Sequence, residues 1–166
     1  MKIDVAYGRD IDDSTLEQLQ YLEVDACVFY ERIDSSEPDN KEILIGIIPT
    51  ESLKHFKKRV ANTLFLMKTK KTKPGKKRVI AMACISKKGG KSNRYLHTVY
   101  VKPLHRRMGI GTAIMKKALS IAKKDKLHLS LGVNPLNKIA MHLYESLGFK
   151  ISKGQSLTME FNTTKR

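Results

Sequence analysis

The chain has 166 residues, 32 Lys and Arg against 16 Asp and Glu, two cysteines and no tryptophan. That length suits one domain, 1–166, with a real core, and a hydrophobic content of 41% excludes a wholly disordered chain. Charge at Lys2 and Asp4 does not fit a secretory leader, and apolar runs such as 79–85 are far too short to span a bilayer. Cys27 and Cys84 stand in apolar surroundings and read as buried thiols of a reducing, cytoplasmic compartment rather than as a disulfide or metal framework.

The formal charge of +16 is unevenly spread. Residues 1–51 hold 13 acids and 4 bases, whereas the remainder holds 28 bases and 3 acids. A basic face beside an acidic one, or two differently charged ligands, would follow from this asymmetry; lysines that merely solvate the surface would account for part of it.

In chain order, alternation over 1–7 predicts a strand. Ser14 and Glu17 have capping-box spacing, and Leu16, Leu19 and Leu22 recur at helical intervals, predicting a helix to about Ala26. Residues 34–41 read as a polar loop, and 50–62 as a second helix with Phe56 and Val60 inward. Stretches 64–68, 78–86 and 94–102 read as an antiparallel meander joined by basic turns. A strong helix over 109–124 follows, then a strand over 127–133 and a helix over 137–147 that Gly148 ends. Strands at 149–152 and 157–161, around a turn at Gly154, close the chain. The order β-α-α-β-β-β-α-β-α-β-β, without repeat or linker, predicts an α/β fold with a mixed sheet.

The most informative segment joins the strand at 94–102 to the helix at 109–124. Gly109 and Gly111 let the chain turn tightly and bring successive N–H groups onto one anion at a helix N-terminus. Arg106 and Arg107 add donors for phosphate oxygens. No Gly-Lys-Ser/Thr follows, so this is not a P-loop, and Ile114 stands where a dinucleotide fingerprint needs a third glycine. Two glycines ahead of a helix, taken alone, serve a plain tight turn equally well.

Arg106-Arg-Met-Gly-Ile-Gly111, preceded by Val101-Lys-Pro103, resembles the Arg/Gln-x-x-Gly-x-Gly/Ala signature of the GNAT family of N-acetyltransferases. A second stretch, Asn137-Lys-Ile-Ala-Met-His-Leu-Tyr144-Glu-Ser-Leu-Gly-Phe149, is similar to that family's Asn-x-x-Ala-x-x-Leu-Tyr-x-x-x-Gly-Phe motif. The resemblance implies a mostly antiparallel sheet flanked by helices, acetyl-CoA as donor, a primary amine as acceptor and no metal. It places the CoA pyrophosphate on the loop of Arg106, Arg107, Met108, Gly109, Ile110, Gly111 and Thr112. It sets the pantetheine arm against Val99, Tyr100 and Val101 and against Asn137. Lys102, Lys116, Lys117 and Lys138 suit the 3′-phosphate in a general way.

Tyr144 matches the family's general acid, although a tyrosine on an apolar helix face also suits a core. Where many relatives carry an acid before the loop, this chain has His97, a candidate proton acceptor or a plain strand residue. The acceptor side implied by the family coincides with the acid-rich first helix. Asp13, Glu17, Tyr21 and Asp25 form an i, i+4 row there, with Asp10, Asp12, Glu23 and Glu31 nearby; a solvated face would read the same way. A polycationic small-molecule amine, such as a polyamine, is the expected partner, without membrane or nucleic acid and with a homodimer as an open assembly. Acetylation of a protein lysine or N-terminus is the alternative, and an inactive acyl-CoA- or nucleic-acid-binding module a third.

Overall fold

The computed structural model describes residues 1–34, 49–72, 75–87, 91–152 and 158–161, with 28–34 described by backbone only. The elements are β1 (Asp4–Tyr7), α1 (Asp13–Asp34), α2 (Leu53–Val60), β2 (Leu64–Lys71), β3 (Lys77–Lys87) and β4 (Asn93–Val101). After them come α3 (Ile110–Lys124), β5 (His128–Gly132), α4 (Lys138–Ser146), β6 (Lys150–Ile151) and β7 (Thr158–Phe161). This is the order that periodicity predicts.

Local chemistry corrects several boundaries. The cap of α1 is Asp12 rather than a Ser14–Glu17 box. Its carboxylate accepts the Thr15 hydroxyl at 2.8 Å and the Thr15 N–H at 2.9 Å, and its carbonyl takes the Leu16 N–H. A carboxylate there also complements the positive end of the helix, and the Thr15 bonds hold it below the usual carboxylate range. The helix runs beyond Ala26 to Asp34 because no glycine or proline interrupts it. Ser52 caps α2, accepting the His55 N–H. Gly148 follows α4 with φ +90°, a conformation that suits glycine. The Gly154 turn lies outside the described residues.

The sheet has seven strands in the order β1-β2-β3-β4-β5-β7-β6. All neighbours are antiparallel except β4 and β5, and that parallel step needs a crossover, which α3 supplies. Leu16, Leu19, Leu22 and Ala26 of α1 pack with Phe56 and Val60 of α2 on Phe65, Met67, Val79, Met82 and Cys84. On the other face Ile114, Met115 and Ala118 of α3 and Tyr144 of α4 pack on Leu66, Ala83, Leu96, Leu129 and Leu131. Cys27, expected to be buried, is exposed, because it is one residue past Ala26 and turns out of the inward stripe. Cys84 is buried.

Candidate active site

The site begins where the sheet comes apart. The parallel ladder pairs Asn93–Leu96 with His128–Leu131 and goes no further, although β4 runs on to Val101. Just beyond that point β4 carries a bulge. Met82 faces Tyr100 and Cys84 faces His97, so Thr98 and Val99 together oppose Ala83. Thr98 adopts φ +52°, unusual for a β-branched residue, and such strain gathers at functional sites. Its hydroxyl lies 3.1 Å from His97 Nδ1.

Past β4 the chain forms the glycine-bearing loop. The Arg106 Nε donates to the Val101 carbonyl at 3.0 Å, and its guanidinium lies over the Tyr100 ring, 5.7 Å from the centroid. Arg106 therefore ties the loop to the strand, while Arg107 is exposed. Arg107 (φ +62°) and Gly109 (φ +73°) both take left-handed conformations on either side of Met108. The first helical bond of α3 runs from the Ala113 N–H to the Gly109 carbonyl. The N–H groups of Ile110, Gly111 and Thr112 consequently have no helical acceptor, as an anion cradle requires. The side chain of Ile110 is buried in the core, so only its backbone could serve a ligand.

Gly111 is where three elements meet. A Cβ placed there would lie 3.7 Å from Leu143 Cδ2 and 3.9 Å from Val101 Cγ2, ordinary contact distances. The protein itself could thus hold an alanine at 111. Beside Leu143, Tyr144 is buried, its ring 6.0 Å from that of Phe149. Asn137 caps α4, its Oδ1 accepting the Ala140 N–H at 3.1 Å. The amide nitrogen of the same side chain keeps its donor capacity.

A second group of residues occupies the α1–α2 face. Arg59 of α2 donates to both oxygens of Glu23, at 2.7 and 3.4 Å, and to Glu51 at 2.8–3.3 Å. Buried Gln20 donates to the Glu51 backbone carbonyl at 2.6 Å, fixing that stretch of backbone beside α1. His97 lies on this face, half-buried and stacked on Tyr95 with centroids 6.3 Å apart. Burial pushes the His97 imidazole below its usual range; Glu23 pulls it up and Arg59 pushes it down. Burial also holds the Cys84 thiol well above the usual range.

The acidic row of α1 divides. Asp13 is exposed and ion-paired with Lys57, and Glu17 is exposed. Asp25 is half-buried, its carboxyl raised by burial and lowered by Lys102. It faces Tyr100, whose phenol burial and Asp25 push up and Arg106 holds down. Asp25 thus joins the base of the loop, whereas Asp13 belongs to the α1–α2 contact. The Glu31 side chain lies outside the described residues. Glu51 and Arg59 were missed by sequence reasoning, and Glu23 entered it only as a neighbour of the row. The faint signal for Arg59 was its place next to the inward Val60. Among the described residues no group of His, Cys, Asp and Glu could hold a metal ion, and no helix is long and apolar enough to cross a membrane.

Residues 25–149 match the model of the Acetyltransferase (GNAT) family. A thialysine N-epsilon-acetyltransferase of Bos taurus is 47% identical over 57 residues, 34% of each chain. An L-amino acid N-acyltransferase, MnaT, of Escherichia coli K12 is 32% identical over 57 residues, 34% of this chain and 33% of that one. These matches span about a third of the length of the curated relatives. In fold, the chain is similar to a PaiA N-acetyltransferase from Thermoplasma acidophilum solved with coenzyme A. The TM-score is 0.65 at 19% identity, over 98% of this chain and 99% of that one.

Proposed function

The chain belongs to the acetyltransferase (GNAT) family, and from that premise we propose that it transfers an acetyl group from acetyl-CoA to a small cationic amine by direct attack. The parting of β4 and β5 beside the N–H cradle carries this reading. The amides of Ile110, Gly111 and Thr112, with Arg107 at the rim, hold the pyrophosphate. Val99–Val101 and the Asn137 amide nitrogen hold the pantetheine arm. When bound, acetyl-CoA supplies a thioester-activated acetyl group.

His97 lies on the α1 face and Tyr144 on the α3–α4 face, so one substrate threaded between the diverging strands reaches both. The attacking amine must be neutral. In the tautomer with a proton on Nδ1, the Thr98 hydroxyl accepts that proton and His97 Nε2 keeps a lone pair for the amine's proton. Its depressed affinity for protons keeps it unprotonated near neutral pH. Tyr144 gives the leaving sulfur its proton. Cys84 is too buried and too weakly acidic to act as an acyl-carrying thiolate, which supports direct transfer over a covalent relay.

Asp25 and the exposed Glu17 hold the acceptor's distal cation, away from the reacting nitrogen, where a carboxylate would raise its pKa and oppose attack. A second reading, an amino acid as acceptor, is supported by the similarity over 57 residues to a thialysine N-epsilon-acetyltransferase and to an L-amino acid N-acyltransferase. Acetyl-CoA consumption with a diamine, spermidine, a monoamine of equal reach, lysine and a basic peptide tests these together. A diamine preference that shrinks with salt supports the polyamine reading. Preference for lysine transfers the assignment to amino acids, and preference for the peptide to protein acetylation. No turnover with any amine overturns the enzymatic reading.

A further inference from the structure

The basic residues away from the cradle are not scattered, and Lys116 and Lys117, which sequence reasoning set toward the CoA 3′-phosphate, stand among them. A groove of about 440 Å³ runs between the start of the chain and α3, lined by Lys2, Ile3, Ala113, Lys116, Lys117 and Ser120 with Met1 at its rim. The Lys68 Nζ donates to the Lys2 carbonyl at 3.3 Å, which brings β2 to the same groove. Beyond Lys68, β2 and β3 continue as a ribbon past the end of β1 and of β4, since β1 reaches only Met67 and Val101 faces Ala81. On this ribbon Lys70 stands directly opposite Arg78, and Lys71 opposite Lys77. Like charges in directly opposed positions destabilise a hairpin, so the ribbon carries a cost that an anion would remove.

Leu66 packs against α3, and Lys68 and Lys70 follow it at strand spacing with Arg78 opposite Lys70. Those three cations therefore share the groove's face with Lys2, Lys116 and Lys117. Among the described residues the one carboxylate paired with any of the six is Asp4, 3.8 Å from Lys2. Such a track neutralises several phosphates at once.

We propose that this groove and ribbon bind the phosphate backbone of a duplex nucleic acid, independently of acetyl transfer. The chemistry favours a duplex over a single strand because no aromatic side chain lines the groove to stack a base, and backbone contacts need only cations. It favours nucleic acid over a lipid surface because Met1 is the sole large exposed apolar side chain among the described lining residues. Sequence reasoning expected no nucleic acid, because it could not see cations of distant elements gathered on one face.

Fluorescence anisotropy of the full chain with a labelled duplex of about 24 base pairs, at salt from about 50 to 200 mM, tests the proposal. Five phosphate contacts give a slope of log affinity against log salt of about −4.5. Replacing Lys70 and Arg78 together by Glu should weaken binding at least about tenfold and make the slope shallower by about 2, with acetyl-CoA affinity unchanged. Lys70→Glu alone creates a Glu–Arg pair, so it should weaken duplex binding without lowering the melting temperature, an outcome that separates binding from folding. No salt-sensitive binding by the parent, equal binding by the double variant, release of the duplex by saturating CoA, or tighter retention on anionic vesicles than on duplex would each overturn it.

Discussion

The two faces of the sheet carry sites of different origin. On the α3 face the cradle is one continuous stretch, Val101 to Thr112, whose conformation follows from its own residues: two left-handed positions, a helix start and an arginine folded back on the strand it leaves. On the α1 face the group around His97 comes from four separate elements, Glu23 of α1, Arg59 of α2, Cys84 of β3 and His97 of β4, with Glu51 just before α2. The first kind of site tolerates change elsewhere in the chain. The second depends on α1 and α2 staying docked, and substitutions should expose that difference.

The largest effect belongs to Tyr144, buried on the α3–α4 face. Tyr144→Phe keeps the ring against Phe149 and should lower kcat about 10²–10⁴-fold with acetyl-CoA affinity unchanged, since general acid help is felt in the transition state. Steady-state rates and calorimetry on the same sample decide it.

The glycines should separate fold from ligand within the cradle. Gly111→Val should weaken CoA about tenfold or more while Gly111→Ala leaves the melting temperature near the parent's, because a Cβ there meets only ordinary contacts. Gly109→Ala should instead cost about 1–2 kcal/mol of stability, for its left-handed φ and not for crowding: a Cβ there meets nothing within 4 Å. Equal thermal behaviour of the two alanine variants would contradict the difference.

The α1 face should respond through pH. Glu23→Gln removes the group that raises the His97 pKa and should move the acidic limb of kcat/KM to lower pH; Arg59→Gln removes one that lowers it and should move the limb to higher pH. Shifts in one common direction would mean that the limb reports another group. His97 also bears on stability. Its folded affinity for protons lies below the unfolded value near 6.5, so the unfolded chain binds more protons in that window. Stability is therefore fully present above it and falls as pH drops through it; His97→Gln should flatten melting curves between about pH 5 and 7.

The smallest effect is expected at Asp13. Its pair with Lys57 is exposed on both sides, and Asp13→Asn should change stability by no more than about 0.5 kcal/mol in urea titrations.

Local spacing was enough for the order of elements, the inward stripe of α1, and the loop from Val101 to Gly111, because each depends on neighbours within a turn or two of chain. Asn137 shows the same locality: it caps α4 through Ala140, three residues on. Tertiary structure alone decided the parting of β4 and β5, the bulge that gives Thr98 a positive φ, and the Glu23–Arg59–Glu51 network beside His97. It also divided the acidic row, pairing Asp13 with Lys57 and setting Asp25 under the loop beside Lys102. The physical reason is range. Helix periodicity states which residues share a face, but a carboxylate's partner and its burial are fixed only when elements distant in sequence pack together.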